Sequence, residues 1–202
     1  MAVQPPAISQ ATTNSEINSP TPRLLFWLIL ACLPPSEDPM MPNHSILLVF
    51  ATHTGNAEEV ADQVQERLSE AGHHIETMDL AFSEDIHAFQ NASWILGVVS
   101  TWGDGDPPSD AEPFFERLCQ SSSLELPKTP FSVLGLGDRS YDQFCECAKT
   151  LERELIRHGG VPLVGRVDCD VWFDDDVEQW TENLLLALAQ SPTGPPNNPV
   201  VS

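Results

Sequence analysis

Three short stretches of the chain are apolar almost throughout: Ile46–Ala51, Trp94–Ser100 and Phe131–Leu136. Polar loops of Gly, Thr and Asp bound each of them. Runs this short and this uniformly apolar have the pattern of strands buried on both faces of a parallel sheet. Ile75–Leu80 and Leu163–Val167 are weaker strand candidates. Between these runs the period changes. Ala57, Val60, Ala61, Val64, Leu68 and Ala71 share one helical face, and Gly72 stands at the C-cap position. A second helix is predicted over Cys145–Arg157, stopping at Gly159 and Gly160. A third runs from Asp174 through Val177, Trp180, Leu184 and Leu188, with Asp174, Asp175 and Asp176 complementing the positive end of its dipole. This alternation predicts an α/β fold, a doubly wound five-stranded parallel sheet with helices on both faces. Ligands of such sheets bind beyond the carboxyl ends of the strands, so function is sought in the loops there.

The domain pattern spans residues 44–190. Ahead of it, residues 1–23 are rich in Pro, Ser, Thr, Gln and Asn and carry only Glu16 and Arg23 as charges. Such a stretch cannot bury enough apolar surface to offset its ordering entropy. The apolar run Leu24–Leu33 is too short to span a membrane, which takes about 20 residues, but has the length of a signal-peptide core. A start of translation at Met40 or Met41 is the plainer expectation, leaving residues 1–40 either absent from the mature protein or a dispensable tail; residues 1–43 as a whole read as a disordered or mis-assigned segment. Residues 191–202, with four prolines, read as a disordered tail. There is no internal repeat.

Composition narrows the partners. The 202 residues carry 9 Lys and Arg against 30 Asp and Glu, a formal charge of −21. That argues against a nucleic-acid backbone or an anionic membrane surface as ligand and for attraction to basic proteins. The five cysteines form no CxxC pair, which suits a reducing, cytoplasmic setting, and a monomer is the expected state. The six histidines are scattered with no HxxxH or HExxH spacing, so no metal site is expected.

Three loops follow the apolar strands. Thr52-His53-Thr54-Gly55-Asn56-Ala57 sets two hydroxyls, a Gly and an Asn at a helix N-terminus, where unpaired N–H groups suit a phosphate. GxxxxGK[ST] and GxGxxG are both absent, and the two lysines, Lys128 and Lys149, lie far away. A monophosphate therefore fits better than a triphosphate; a helix cap without ligand is the plain alternative. Ser100-Thr101-Trp102-Gly103-Asp104-Gly105-Asp106-Pro107-Pro108 places a Trp between acidic residues and glycines, where a flat aromatic ligand can stack. Gly135–Cys145 brings the one Tyr, Tyr141, to a third turn, so that Tyr141 and Trp102 can face each other across a planar ring.

The set Thr52–Ala57, Ser100–Pro108 and Leu134–Cys145 closely resembles the FMN-binding loops of the flavodoxin-like fold, as in the FMN domain of diflavin reductases and in single-domain flavodoxins. The resemblance covers residues 44–190 and keeps the motif order. It implies a phosphate site at Thr52, His53, Thr54, Gly55, Asn56 and Ala57. It implies ring contacts from Ser100, Thr101, Trp102 and Gly103, with Gly103 near the flavin N5. The other face and edge fall to Leu136, Gly137, Asp138, Tyr141, Phe144 and Cys145, and Asp168 is the counterpart of an Asp near the flavin side chain. Two positions depart from the pattern: His53 stands where Gln is usual, giving phosphate affinity a pH dependence, and Trp102 replaces a Tyr or polar residue.

The resemblance implies an FMN-dependent electron carrier, with the cofactor performing the redox step and no catalytic acid, base or nucleophile required. FAD and NADPH modules find no room in this length, so electrons are expected to come from a separate flavin or NADPH reductase and to leave for a haem or iron–sulfur protein. Asp104, Asp106 and Asp138 should lower the flavin's potential. The acidic residues Asp104, Asp106, Asp110 and Glu112, with Asp174, Asp175, Asp176 and Glu178, should steer a basic partner. The alternatives are an FMN-domain subunit of a sulfite-reductase-like complex and a flavin-free interaction module. A receiver domain is excluded: Thr52-His53-Thr54 and Thr101-Trp102 stand where its acidic residues belong, and no Lys lies beyond Lys149.

Overall fold

The computed structural model describes residues 45–83 and 85–191. The expectations for residues 1–43 and 192–202, including the apolar run Leu24–Leu33 and the start at Met40 or Met41, lie outside the described residues. Strand β1 (Ser45–Ala51) pairs in parallel with β2 (His74–Asp79) on one side and β3 (Trp94–Ser100) on the other. β3 pairs with β4 (Pro130–Leu136), and two short segments, β5 (Val161–Pro162) and β6 (Val167–Cys169), share the outer edge of β4. The order is therefore 2-1-3-4 followed by a fifth position that two segments fill.

Strand side chains alternate between two cores. Ile46, Leu48, Leu96 and Val98 face helices α1 (Asn56–Glu70) and α5 (Asp174–Gln190). Leu47, Val49, Ile95 and Val99 face the other side, against α2 (Ala88–Asn91), α3 (Glu112–Gln120) and α4 (Glu146–Arg157). The apolar runs thus mark strands covered on both faces. Helix α1 buries Ala57, Val60, Ala61, Val64 and Leu68, carries Glu58 and Glu59 in its first turn and Arg67 in its last, and gives way at Gly72 with φ +90. That left-handed residue is the stop its sequence announces. Helix α4 lies close on β3 and β4 because two strand positions have no side chain. A Cβ at Gly97 would meet Leu151 Cδ2 at 2.7 Å, and one at Gly135 would meet Ala148 Cβ at 2.5 Å.

The last strand corrects the expectation. Leu163–Val167 was the expected segment, but the ladder breaks there: Phe131 pairs with Pro162, and Leu134 with Val167, so residues 163–166 face only 132 and 133. The ladder runs past Pro162, since Val161 N donates to Thr129 O and Leu163 N to Phe131 O, each at 2.9 Å, and is lost only after Leu163. The side chain of Arg166 turns to Glu152 and Asp168, which holds the bulged segment against α4. Helices α2 and α3 were not distinguished in the sequence, whose helical spacing covers few residues there.

One buried polar pair crosses the sheet–helix interface. The Trp180 indole N–H donates to Ser132 Oγ at 2.8 Å, with Trp180 fully buried in α5 and Ser132 in the middle of β4. Ser132→Ala should therefore destabilise the fold by about 1–3 kcal/mol, the cost of a buried donor left alone. Urea denaturation checks this, and Trp180→Phe should make the same Ser132 change less harmful.

Candidate functional site

The crevice lies where the chain leaves β1 towards one face of the sheet and β3 towards the other. At that switch point the loops diverge and leave room for a ligand. The loops after β1, β3, β4 and β6 enclose a cleft of about 400 Å³. That is within the ordinary range for a small-molecule site, about 300–1,000 Å³.

The loop after β1 is held by its own side chain: the Gly55 N–H donates to Thr52 Oγ1 at 2.9 Å, with Gly55 at φ +94. The Gly55 carbonyl then accepts from Glu59 N at 2.9 Å, which starts α1. Among the described residues, no acceptor meets the N–H groups of His53, Thr54, Asn56 and Ala57. Four free donors at the positive end of a 15-residue helix form a cradle for an anion. Ala57 itself is a fully buried core residue, so its contribution to that end is its backbone.

The loop after β3 closes on itself through a two-way backbone pair, Trp102 N to Asp106 O at 2.8 Å and Asp106 N to Trp102 O at 2.9 Å. Gly103 and Gly105 take positive φ to allow it. Gly105 also lets this loop touch the next one, since a Cβ there would sit 2.7 Å from Gln143 Cβ. Thr101 N donates to Leu136 O at 2.9 Å, and Thr101 Oγ1 accepts from Cys147 N at 3.2 Å. Trp102 stays half exposed at 51%. Its indole lies against the His53 imidazole, centroids 3.8 Å apart and planes at 34°. This contact ties the loop after β1 to the loop after β3.

In the loop after β4, Gly137 N donates to Cys169 O at 3.0 Å, and Asp138 Oδ1 accepts from Ser140 N at 2.8 Å. The Ser140 hydroxyl and then its N–H hold the Asp138 carboxyl below its ordinary value. Tyr141 is 57% exposed at the cleft rim, and Arg139 lies 5.3 Å over the Phe144 ring. Cys145 takes φ +53, uncommon for a residue with a Cβ. Its thiol is enclosed, donating to Gly135 O at 3.5 Å and Cys169 O at 3.7 Å. Burial first, then the charge of Asp168, pushes that thiol up to about 12, so it is a neutral wall and not a nucleophile.

Of the residues singled out in the sequence, His53, Thr54, Asn56, Ser100, Thr101, Trp102 and Gly103 line the cleft, as do Leu136, Gly137, Asp138, Tyr141, Phe144 and Cys145. Thr52, Gly55 and Ala57 shape the first loop without lining the cleft. Asp168 does not reach it; its carboxylate is held by Arg166, Nε to Oδ1 at 2.7 Å and Nη2 to Oδ2 at 3.2 Å. Gln143, Val171 and Phe173 line the cleft and were not named. The last two follow β6 and would have been found by applying the strand-end rule to the final strand, had that strand been placed at Val167–Cys169.

An α/β protein built this way takes a planar aromatic ligand with an anionic tail. The chain belongs to the flavodoxin family, whose cofactor is FMN: the family profile described as Flavodoxin matches residues 48–180. The sulfite reductase [NADPH] flavoprotein alpha-components of Neisseria meningitidis and Yersinia enterocolitica are 35% and 33% identical to it over 148 and 144 residues. These matches cover 72% and 71% of this chain but only 24% of each relative, so the chain spans about a quarter of their length. Among solved structures, a Streptococcus pneumonia TIGR4 flavodoxin superposes with TM-score 0.64 at 29% identity, covering 72% of this chain and 97% of that one. Oxidised Flavodoxin 1 from Bacillus cereus gives 0.63 at 25%, covering 74% and 99%. The donor set suits FMN: neutral N–H groups and the Thr54 hydroxyl would receive a monophosphate, and the aromatic and apolar wall would receive the ring.

The enclosed thiols give the protein an alkaline limit. Burial pushes Cys145 and Cys169 to about 12, and raises Cys147 also, from an ordinary 9.0. Unfolded, these groups lose their protons first, so the unfolded state gains as pH rises. Stability is therefore full below pH 9 and is lost between about 9 and about 12. Urea midpoints at pH 8 and 10.5 should differ accordingly. At pH 8 a thiol reagent should label Cys119, which is exposed, and spare Cys145, Cys147 and Cys169 until the protein unfolds.

Proposed function

We propose that this protein carries electrons on one FMN, accepting them from a flavin or NADPH reductase and passing them to a haem or iron–sulfur protein. The reading rests above all on the four unpartnered N–H groups that stand beside an aromatic cleft at the sheet's switch point. Bound FMN supplies the redox chemistry, since its ring accepts and releases electrons. The chain's own residues bind and tune. The N–H groups of His53, Thr54, Asn56 and Ala57, with the Thr54 hydroxyl, hold the phosphate. Trp102 and Tyr141 flank the ring, and Leu136, Phe144, Val171 and Phe173 keep water from its inner part. Gly103 leaves backbone close to the ring edge. Asp168 acts at a distance, through the Arg166 clamp that holds residues 163–166 against α4.

The carboxylates of Asp104, Asp106 and Asp138 disfavour added negative charge on the ring and lower its potential. The same acidity draws basic partners. Similarity to the sulfite reductase flavoprotein alpha-components supports a second reading, an FMN subunit that serves a sulfite-reductase-like complex. Among the described residues no helix is long and apolar enough to cross a membrane, and the four described cysteines are free thiols. The free thiols suit a reducing compartment.

Titrating the purified chain with FMN should give heat, quench the flavin fluorescence and yield a yellow one-to-one complex. A colourless protein with no heat would overturn the reading. Trp102→Ala should weaken FMN about two- to twelvefold, the equivalent of about 0.5–1.5 kcal/mol of lost stacking, as read by calorimetry. Asp104→Asn should shift the flavin potential upward in a potentiometric titration.

A further inference from the structure

Side chains alternate along the loop that follows β6. Val171 and Phe173 line the cleft, and Trp172 between them is 89% exposed. Among the described residues its indole N–H meets no acceptor and its ring meets no other aromatic. A Trp ring is among the largest apolar surfaces a side chain offers, and nothing local accounts for leaving it in water. Trp102, Tyr141 and Val171, each more than half exposed, stand on the same cleft. Isolated exposed apolar residues are normal; a group around one opening marks an interaction site.

The charges around this group favour one kind of occupant. Asp170 precedes Trp172, and Asp174, Asp175 and Asp176 follow it at the head of α5. Asp138 and Asp142 lie on the loop after β4, Asp104 and Asp106 on the loop after β3. Arg139 is the one cation on these three loops, and it is already engaged, its N–H bonded to Asp170 Oδ1 at 3.2 Å and its guanidinium 3.8 Å from Oδ2. A second copy of this chain would bring the same negative rim and be repelled. A basic protein would be attracted, and the exposed face of an indole also attracts Lys and Arg side chains.

We propose that Trp172 is the anchor of the docking face: a basic redox protein seats a Lys or Arg side chain over its indole, against the cleft mouth. The acidic rim governs how fast partners arrive, and Trp172 governs how well they hold once there. This rests on the electron-carrier reading above.

Oxidised cytochrome c, a basic haem protein, serves as the probe. The FMN-loaded full chain is reduced with dithionite, freed of excess, and mixed with it in a stopped-flow instrument over a range of ionic strength. Each reduced flavin gives its two electrons to two ferric haems, one electron to each. Trp172→Ala should slow the reaction about three- to tenfold at every ionic strength while leaving its salt slope and the FMN affinity unchanged. Trp172→Phe should restore most of the rate, and Asp174→Asn with Asp175→Asn should flatten the slope. An unchanged rate in Trp172→Ala would overturn the anchor. So would a loss of FMN affinity that parallels the rate, or a change from dimer to monomer by sedimentation. Failure of the unaltered protein to bind FMN would instead overturn the electron-carrier reading itself.

Discussion

Parallel pairing of β1 with β3 is the constraint from which the site follows. The six-residue register from Ile46 opposite Trp94 to Ala51 opposite Val99 fixes two strand ends side by side, while the chain continues from them to opposite faces. Neither loop can cover the gap, because each is drawn off by the helix it feeds. What remains open is then fixed by backbone bonds: Thr101 to Leu136, Gly137 to Cys169, and Trp102 with Asp106. The walls are therefore part of the sheet's own hydrogen-bonding scheme and not loose surface loops. A ligand that enters meets groups already in place, which lowers the ordering cost of binding.

Much of this was legible in the chain. Ile46–Ala51, Trp94–Ser100 and Phe131–Leu136 fall within a residue of the observed strands, because full burial on both faces leaves little choice of residue type. Loops that follow such strands must sit at one edge, so thirteen of the seventeen named positions lie together on the cleft. Misplacement began where burial was partial. The segments on the outer edge of β4 are mostly exposed or half-buried, and the strand pairing is lost over residues 163–166. A strand ending at Val167 points to Asp168 as the first residue beyond it, whereas the strand that ends at Cys169 brings Val171 and Phe173 to the cleft and pairs Asp168 with Arg166. The His53–Trp102 contact joins residues far apart in sequence through the choice of two rotamers, which no spacing rule encodes.

The cleft and its rim follow opposite electrostatic rules. Around the anion cradle the donors are neutral N–H groups and a hydroxyl, and the Cys145 thiol in the wall is protonated. Outside, nearly every ionisable group is a carboxylate. This division lets the interior be shaped by packing alone, as Gly135, Ala148 and Cys145 show by their close fit. The exterior is free to be shaped by encounter with other proteins. The two sets of residues barely overlap, and Asp138, Tyr141 and Trp102 are the positions that belong to both.

The broken outer strand has a practical reach. Because four residues there face two, the border of the sheet already holds slack, and the ladder on either side of it stays in register. Loop-closure entropy rises only slowly with length. Extra polypeptide spliced between Val164 and Gly165, upstream of the Arg166 clamp, would thus be spooled out at the perimeter. The molecule offers a graft point where a tether, a reporter or a whole fusion partner can be hung without sliding any strand beneath the cleft.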